Sequence, residues 1–100
     1  MKITLRQLSY LMALAEHRHF GRAAATVFVT QSALSQQIKE LEISLGGALV
    51  ERGSRGVTLT TIGREVVKRA QPVLDQVRDI EQIARFKSEM PTKLNIGLIP

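Results

Sequence analysis

A chain of 100 residues with 44% hydrophobic side chains holds one ordinary domain with enough apolar mass for a modest core, and nothing in its composition suggests disorder. Its 14 Lys and Arg against 9 Asp and Glu leave a formal charge of +5, favouring a polyanionic partner, either nucleic acid or an anionic membrane surface. Without cysteine there is neither a disulfide framework nor a thiolate metal site, and no thiol switch can operate within these residues.

Thr4 and Gln7 stand at capping-box spacing, and Leu5, Leu8, Leu11, Met12 and Ala15 then recur at helical intervals, predicting a first helix over Leu5 to His17. After the polar cluster His17-Arg18-His19, a short helix is expected over Arg22 to Val27, with Ala23, Ala24 and Val27 packing. Its alanines let another helix approach closely. Phe28, Val29 and Thr30 connect it to a third helix, Gln31 to Leu45, whose apolar stripe is Leu34, Ile38, Leu41 and Leu45. Thr30 is placed to cap that helix, and Gly46-Gly47 to end it. Helix, short turn, helix is a supersecondary signature of its own.

The third helix carries the chemistry. Gln31, Ser32, Ser35, Gln36 and Lys39 share the face opposite the apolar stripe. A merely solvated face usually carries Glu and Lys, whereas short amides and hydroxyls match donors and acceptors on base edges. Charge supports the same region. Between His17 and Lys39 there are three bases and no acid, and between Arg52 and Arg69 five bases against Glu65 alone.

Past Gly47 the period shortens towards two. Leu49 to Arg52 and Val57 to Leu59 flank the turn Gly53-Ser54-Arg55-Gly56, which reads as a small hairpin, or wing. Thr60 or Thr61 then caps a long helix to Lys87, spanning roughly 40 Å at ~1.5 Å per residue. Its apolar positions Val66, Ala70, Val73, Val77, Ile80 and Ala84 alternate steps of four and three, a heptad seam suited to pairing with a second copy. Pro72 lies inside, costing ~3 kcal/mol and predicting a kink in one continuous helix. Ser88 to Thr92 reads as a hinge and Lys93 to Ile99 as a lone strand, so a longer protein is expected.

These elements together resemble the DNA-binding domain of LysR-type transcriptional regulators. The matching residues are Leu5-x-x-Leu8-x-x-Leu11, Ala15-Glu16, Phe20 with Ala23-Ala24, Val29 to Gly46, Leu49 to Arg52, and Thr60 with Gly63. Ala13 to Phe20 and Leu94 to Pro100 further resemble the peroxide-sensing OxyR branch. The resemblance implies a mainly α fold: a winged helix-turn-helix over residues 1–60 with a small β-hairpin wing, a dimerising linker helix over 61–87, and over 88–100 a hinge and first strand of an effector domain. It also implies that Gln31, Ser32, Ser35 and Gln36 face the major groove and that Arg55 enters the minor groove; Thr30 is counted with the DNA-binding residues, and Lys39 and Arg52 read as phosphate-attracting. The partners implied are double-stranded DNA with a pseudo-palindromic site, and a homodimer here that becomes a tetramer in a full-length protein. No cofactor, metal or enzymatic activity is expected.

The chain departs from the family pattern at Ser32 for Pro, Val50 for Phe, Arg18 for Gly, and Gly21 for a capping Thr or Ser. The last leaves only a backbone N–H for a phosphate contact. The rival reading is a basic amphipathic coiled-coil or membrane-surface module, but 4% aromatic content without Trp argues against membrane anchoring. The N-terminus lacks the apolar core of a signal peptide, so the cytoplasm is the expected compartment. His17, His19 and Glu16 read as a helix-end polar cluster in preference to a metal site, because residues two apart on a helix do not face each other.

Overall fold

A computed structural model describes residues 2–89, with side chains described through residue 86. In chain order it contains α1 (Leu5–His17), α2 (Phe20–Thr26), α3 (Gln31–Leu45), β1 (Val50–Gly53), β2 (Gly56–Leu59) and α4 (Thr61–Glu89). The expected capping box opens α1: Gln7 N–H donates to Thr4 Oγ1 at 3.0 Å and Thr4 N–H to Gln7 Oε1 at 3.1 Å. Gln7 is itself buried, and its amide nitrogen donates to Gln37 Oε1 on α3 at 3.3 Å.

Two residues that are not glycine hold left-handed backbone. Arg18, at φ 54°, ends α1 where the family pattern has Gly, and its N–H donates to Leu14 O. Phe28, at φ 60° and 93% exposed, makes the corner between α2 and α3. The helix expected over Arg22 to Val27 instead spans Phe20–Thr26. The reason is His19, whose Nδ1 accepts from Arg22 N–H at 3.0 Å and so supplies the cap that Gly21 lacks. A Cβ on Gly21 would come within 3.0 Å of the His19 ring, so the two residues suit each other.

Leu11, Leu14, Leu34, Leu41 and Leu49 are the largest fully buried side chains, and Phe20, Ala23 and Ala24 close the same core. All but Leu49, which lies between α3 and β1, are on the inward stripe of their helices, which is why α1, α2 and α3 pack as a unit. The hairpin is antiparallel, and its pairing runs to Gly53↔Gly56, so the turn narrows from the expected Gly53 to Gly56 to Ser54-Arg55. Val57 N–H donates to Arg18 O at 3.1 Å, tying the wing to the corner between α1 and α2. Gly56 is required there, with φ 102° and a Cβ position only 2.8 Å from the Arg18 carbonyl.

The other end of the wing hangs from α3. Glu42 Oε2 accepts from Leu49 N–H at 2.7 Å and from Val50 N–H at 3.4 Å. Glu42→Ala would strand a backbone donor beside the fully buried Leu49, and a loss of about 1–3 kcal/mol is expected in urea unfolding. Glu42→Gln, which keeps an acceptor, should recover much of it. An alanine variant as stable as the parent would show that this tie contributes nothing.

Thr60, not Thr61, caps α4: Gly63 N–H donates to its Oγ1 at 2.9 Å. The helix runs unbroken through Pro72 and includes Ser88 and Glu89, the first two residues of the expected hinge. The remainder of that hinge and the strand from Lys93 lie outside the described residues. The expected seam also needs correction. Ala70 is 3% exposed and Val66 packs on the core, so these two positions serve the contact of α4 with its own domain. Val73, Ile80, Ile83 and Phe86 remain exposed, together with Ala84, while Val77 is half-buried.

Candidate nucleic-acid interface

Burial of Leu34, Ile38 and Leu41 turns the opposite face of α3 outward, as the amphipathic spacing requires. Thr30 Oγ1 accepts from Ala33 N–H at 3.0 Å, so its hydroxyl oxygen is engaged in capping. Gln31, Ser32, Ser35, Gln36 and Lys39 then line a shallow concavity of about 560 Å³, and Arg52 of β1 completes its wall. Six of the predicted residues therefore meet on one surface. Arg55 stands apart at the tip of the wing, exposed and with no hydrogen bond or ion pair among the described residues.

The two glutamines differ in freedom. Gln36 Nε2 donates to Glu40 Oε2 at 3.0 Å, one helical turn on, whereas the Gln31 amide makes no such bond. Arg52 is held by two contacts. Its Cζ lies 4.1 Å from the centroid of the Phe20 ring, and its Nη2 donates to Ser35 Oγ at 3.2 Å. An exposed cation–π contact contributes roughly 0.5–1 kcal/mol, enough to bias the side chain's direction without locking it. Arg64 is likewise held, donating to Leu59 O and Thr61 Oγ1 at the base of the wing.

Sequence reasoning missed His19 as a cap and Arg52 as a link between elements. His19 stands three residues before Arg22, the usual spacing of a capping side chain, so the first was there to be found. The second had no local signal, because Arg52 and Ser35 are 17 residues apart. No group of three or more His, Asp or Glu side chains is arranged to hold a metal ion among the described residues. No described helix is long and apolar enough to cross a membrane.

A three-helix core, an α3 that exposes uncharged polar side chains beside basic ones, and a two-stranded hairpin next to it define a winged helix-turn-helix DNA-binding domain. Residues 5–64 match the lysR family of bacterial regulatory helix-turn-helix proteins, and the chain belongs to that family. It is 50% identical over 98 residues to the HTH-type transcriptional regulator EstR of Acinetobacter baylyi, covering 97% of this chain and 33% of that protein. It is 48% identical over 99 residues to the DNA-binding transcriptional dual regulator OxyR of Escherichia coli, covering 98% of this chain and 32% of that protein. The chain thus spans about a third of the length of these relatives. Among solved structures, a full-length OxyR variant from Pseudomonas aeruginosa superposes with a TM-score of 0.78 at 42% identity, over 83% of this chain and 28% of that one. The BenM DNA-binding domain in complex with catB site 1 DNA superposes with a TM-score of 0.80 at 33% identity, over 90% of this chain and 100% of that one.

Proposed function

We propose that this chain is the DNA-reading and dimer-forming part of a longer transcription regulator, in which α3 enters the major groove and the wing approaches the adjacent minor groove. The single observation that carries this reading is the shared concavity of Gln31, Ser32, Ser35, Gln36, Lys39 and Arg52. Amides and hydroxyls there match base-edge donors and acceptors, while Lys39 and Arg52 at its edge suit phosphates. Thr30 opens the helix that presents them. Arg55, projecting from a two-residue turn, suits a narrow minor groove. The role is DNA binding and not catalysis, in line with the regulators it resembles.

Residues 1–60 form the reader in this scheme and 61–87 the linker helix, with residues 88–100 leading into the remaining two thirds of the protein. Val73, Val77, Ile80 and Ala84, with the exposed Ile83 and Phe86, offer an apolar surface to the same surface of a second copy. Near Val73 it continues into a groove of about 250 Å³ lined by Ile3, Leu8, Leu45, Val66 and Ala70, which a partner would also cover. A two-fold dimer of this kind calls for two related half-sites, and a tetramer in the full-length protein would engage two such dimers. Several relatives are hydrogen peroxide-inducible genes activators; a thiol-based response of that kind would reside outside these residues, since they hold no cysteine.

Binding to a duplex selected from a randomised library tests the reading. Gln31→Ala and Gln36→Ala should each cost ~1–3 kcal/mol on the selected duplex and little on unrelated DNA. Lys39→Ala should weaken every duplex about equally and flatten the salt dependence. If both glutamine variants keep the parent's ratio of specific to nonspecific binding, α3 is not the reader.

A further inference from the structure

Ser35 sits half-buried on the second turn of α3, with its oxygen already engaged by Arg52 Nη2 at 3.2 Å. A serine hydroxyl has one proton to donate and two lone pairs to accept with. A cationic donor occupying one lone pair weakens the oxygen as a second acceptor and polarises the O–H as a donor. The proton has no intramolecular acceptor among the described residues: no bond runs from Ser35 Oγ back to the preceding turn, unlike Thr26, whose Oγ1 donates to Ala23 O. The guanidinium is meanwhile kept in place by the Phe20 ring at 4.1 Å, and Phe20 is buried in the core. The fold therefore biases its direction before DNA is met.

We propose that Arg52 is a positioning residue that fixes the hydrogen-bond polarity of Ser35, so that Ser35 presents a donor to the groove and selects a base-edge acceptor there. The groups it takes are purine N7, guanine O6 or thymine O4, and the groups it rejects are the amino groups of cytosine and adenine. This rests on α3 lying in the major groove. It goes further in assigning one hydroxyl a direction, and in making the wing strand that carries Arg52 part of base selection. A free serine would tolerate either polarity, since its hydroxyl rotates to suit. Arg52 as a simple phosphate anchor would affect all sequences alike.

The test measures binding of the parent chain, Ser35→Ala, Arg52→Met and the double variant to a duplex selected by the parent from a randomised library. Each base pair is inverted in turn, which replaces an O6 or O4 acceptor beneath a fixed side chain by an amino donor, and a purine N7 by a C5 hydrogen or methyl group; either change removes the acceptor. At one base pair in each half-site, inversion should weaken the parent about tenfold and each single variant less than about twofold. The double variant should match the single variants at that pair. Any uniform loss from removing the Arg52 charge appears on every duplex and cancels in the ratio. Melting curves within a few degrees of the parent would show both variants folded, as expected for an exposed Arg52 and a half-buried Ser35. Should Arg52→Met still discriminate at the pair where Ser35→Ala does not, or should the two variants relax different pairs, the coupling is wrong while α3 remains the reader. Should the parent prefer no duplex over another, the groove reading fails and this inference with it.

Discussion

Gly63→Ala is expected to unfold the winged-helix core at temperatures the parent survives. A Cβ built on Gly63 would lie 2.0 Å from the Leu49 carbonyl oxygen and 3.0 Å from its carbonyl carbon. Main chain cannot rotate away as a flexible side chain can, so either α4 or the strand entry must shift. That carbonyl already accepts from Thr60 N–H at 3.0 Å, and Leu49 is among the fully buried side chains. A shift would thus break the cap region of α4 and open the core together. Overpacking against backbone at such a site costs about 3 kcal/mol or more, which for a domain of this size lowers the melting temperature by roughly 12–24 °C. Calorimetry decides it. A melting temperature within a few degrees of the parent would mean that α4 does not rest on Leu49 as described.

The second large effect is expected in the proposed seam. Replacing Val73 and Val77 by Glu should convert a self-associating chain into a monomer by sedimentation equilibrium, with the dimer dissociation constant rising by more than about 10³-fold. Burying a Val side chain contributes about 1.5–3 kcal/mol, and an unpaired carboxylate in its place adds a desolvation cost of its own. Val73 is 44% exposed and Val77 half-buried in the single chain, so neither carboxylate is forced fully into the core and circular dichroism should show the monomer still folded. DNA binding should become weak and lose its two-half-site footprint, while contact with a single half-site persists at high protein concentration. Dimers of unchanged strength would move the interface elsewhere on α4. Ala70→Glu is the contrasting variant: at 3% exposure it should unfold the domain and leave no folded monomer to assay.

The contrast between Ala70 and Val73 shows where the heptad reading was sufficient. Spacing in steps of three and four put both residues on one stripe, and the stripe exists. It could not tell which part of the stripe meets α1 of the same chain, because that depends on how far the core extends along α4. Pro72 is similar. Register across the proline predicted one helix, and α4 is continuous there.

Helix 2 shows the complementary case. Read by apolar positions alone, it begins at Arg22; with the His19 cap it begins at Phe20, which lets the aromatic ring enter the core and lie under Arg52. Phe20, at that start, lies under Arg52 of the wing, which in turn reaches Ser35 of α3.

What the amino-acid order determined by itself was the set of features whose signals lie within a short stretch of chain. These are the capping box at Thr4 and Gln7, the Thr30 cap, the Gly46 stop at φ 79°, the hairpin, and the uncharged face of α3 opposite its leucines. Such signals are local because backbone hydrogen bonds and helical side-chain pairs close over one turn. Only the tertiary structure decided the contacts between residues remote in sequence: Glu42 holding the Leu49 amide, the Val57 amide on the Arg18 carbonyl, Ala70 turned inward, and Arg52 held between Phe20 and Ser35. Those depend on how the packed helices place separate segments side by side, and periodicity carries no information about distance across a core.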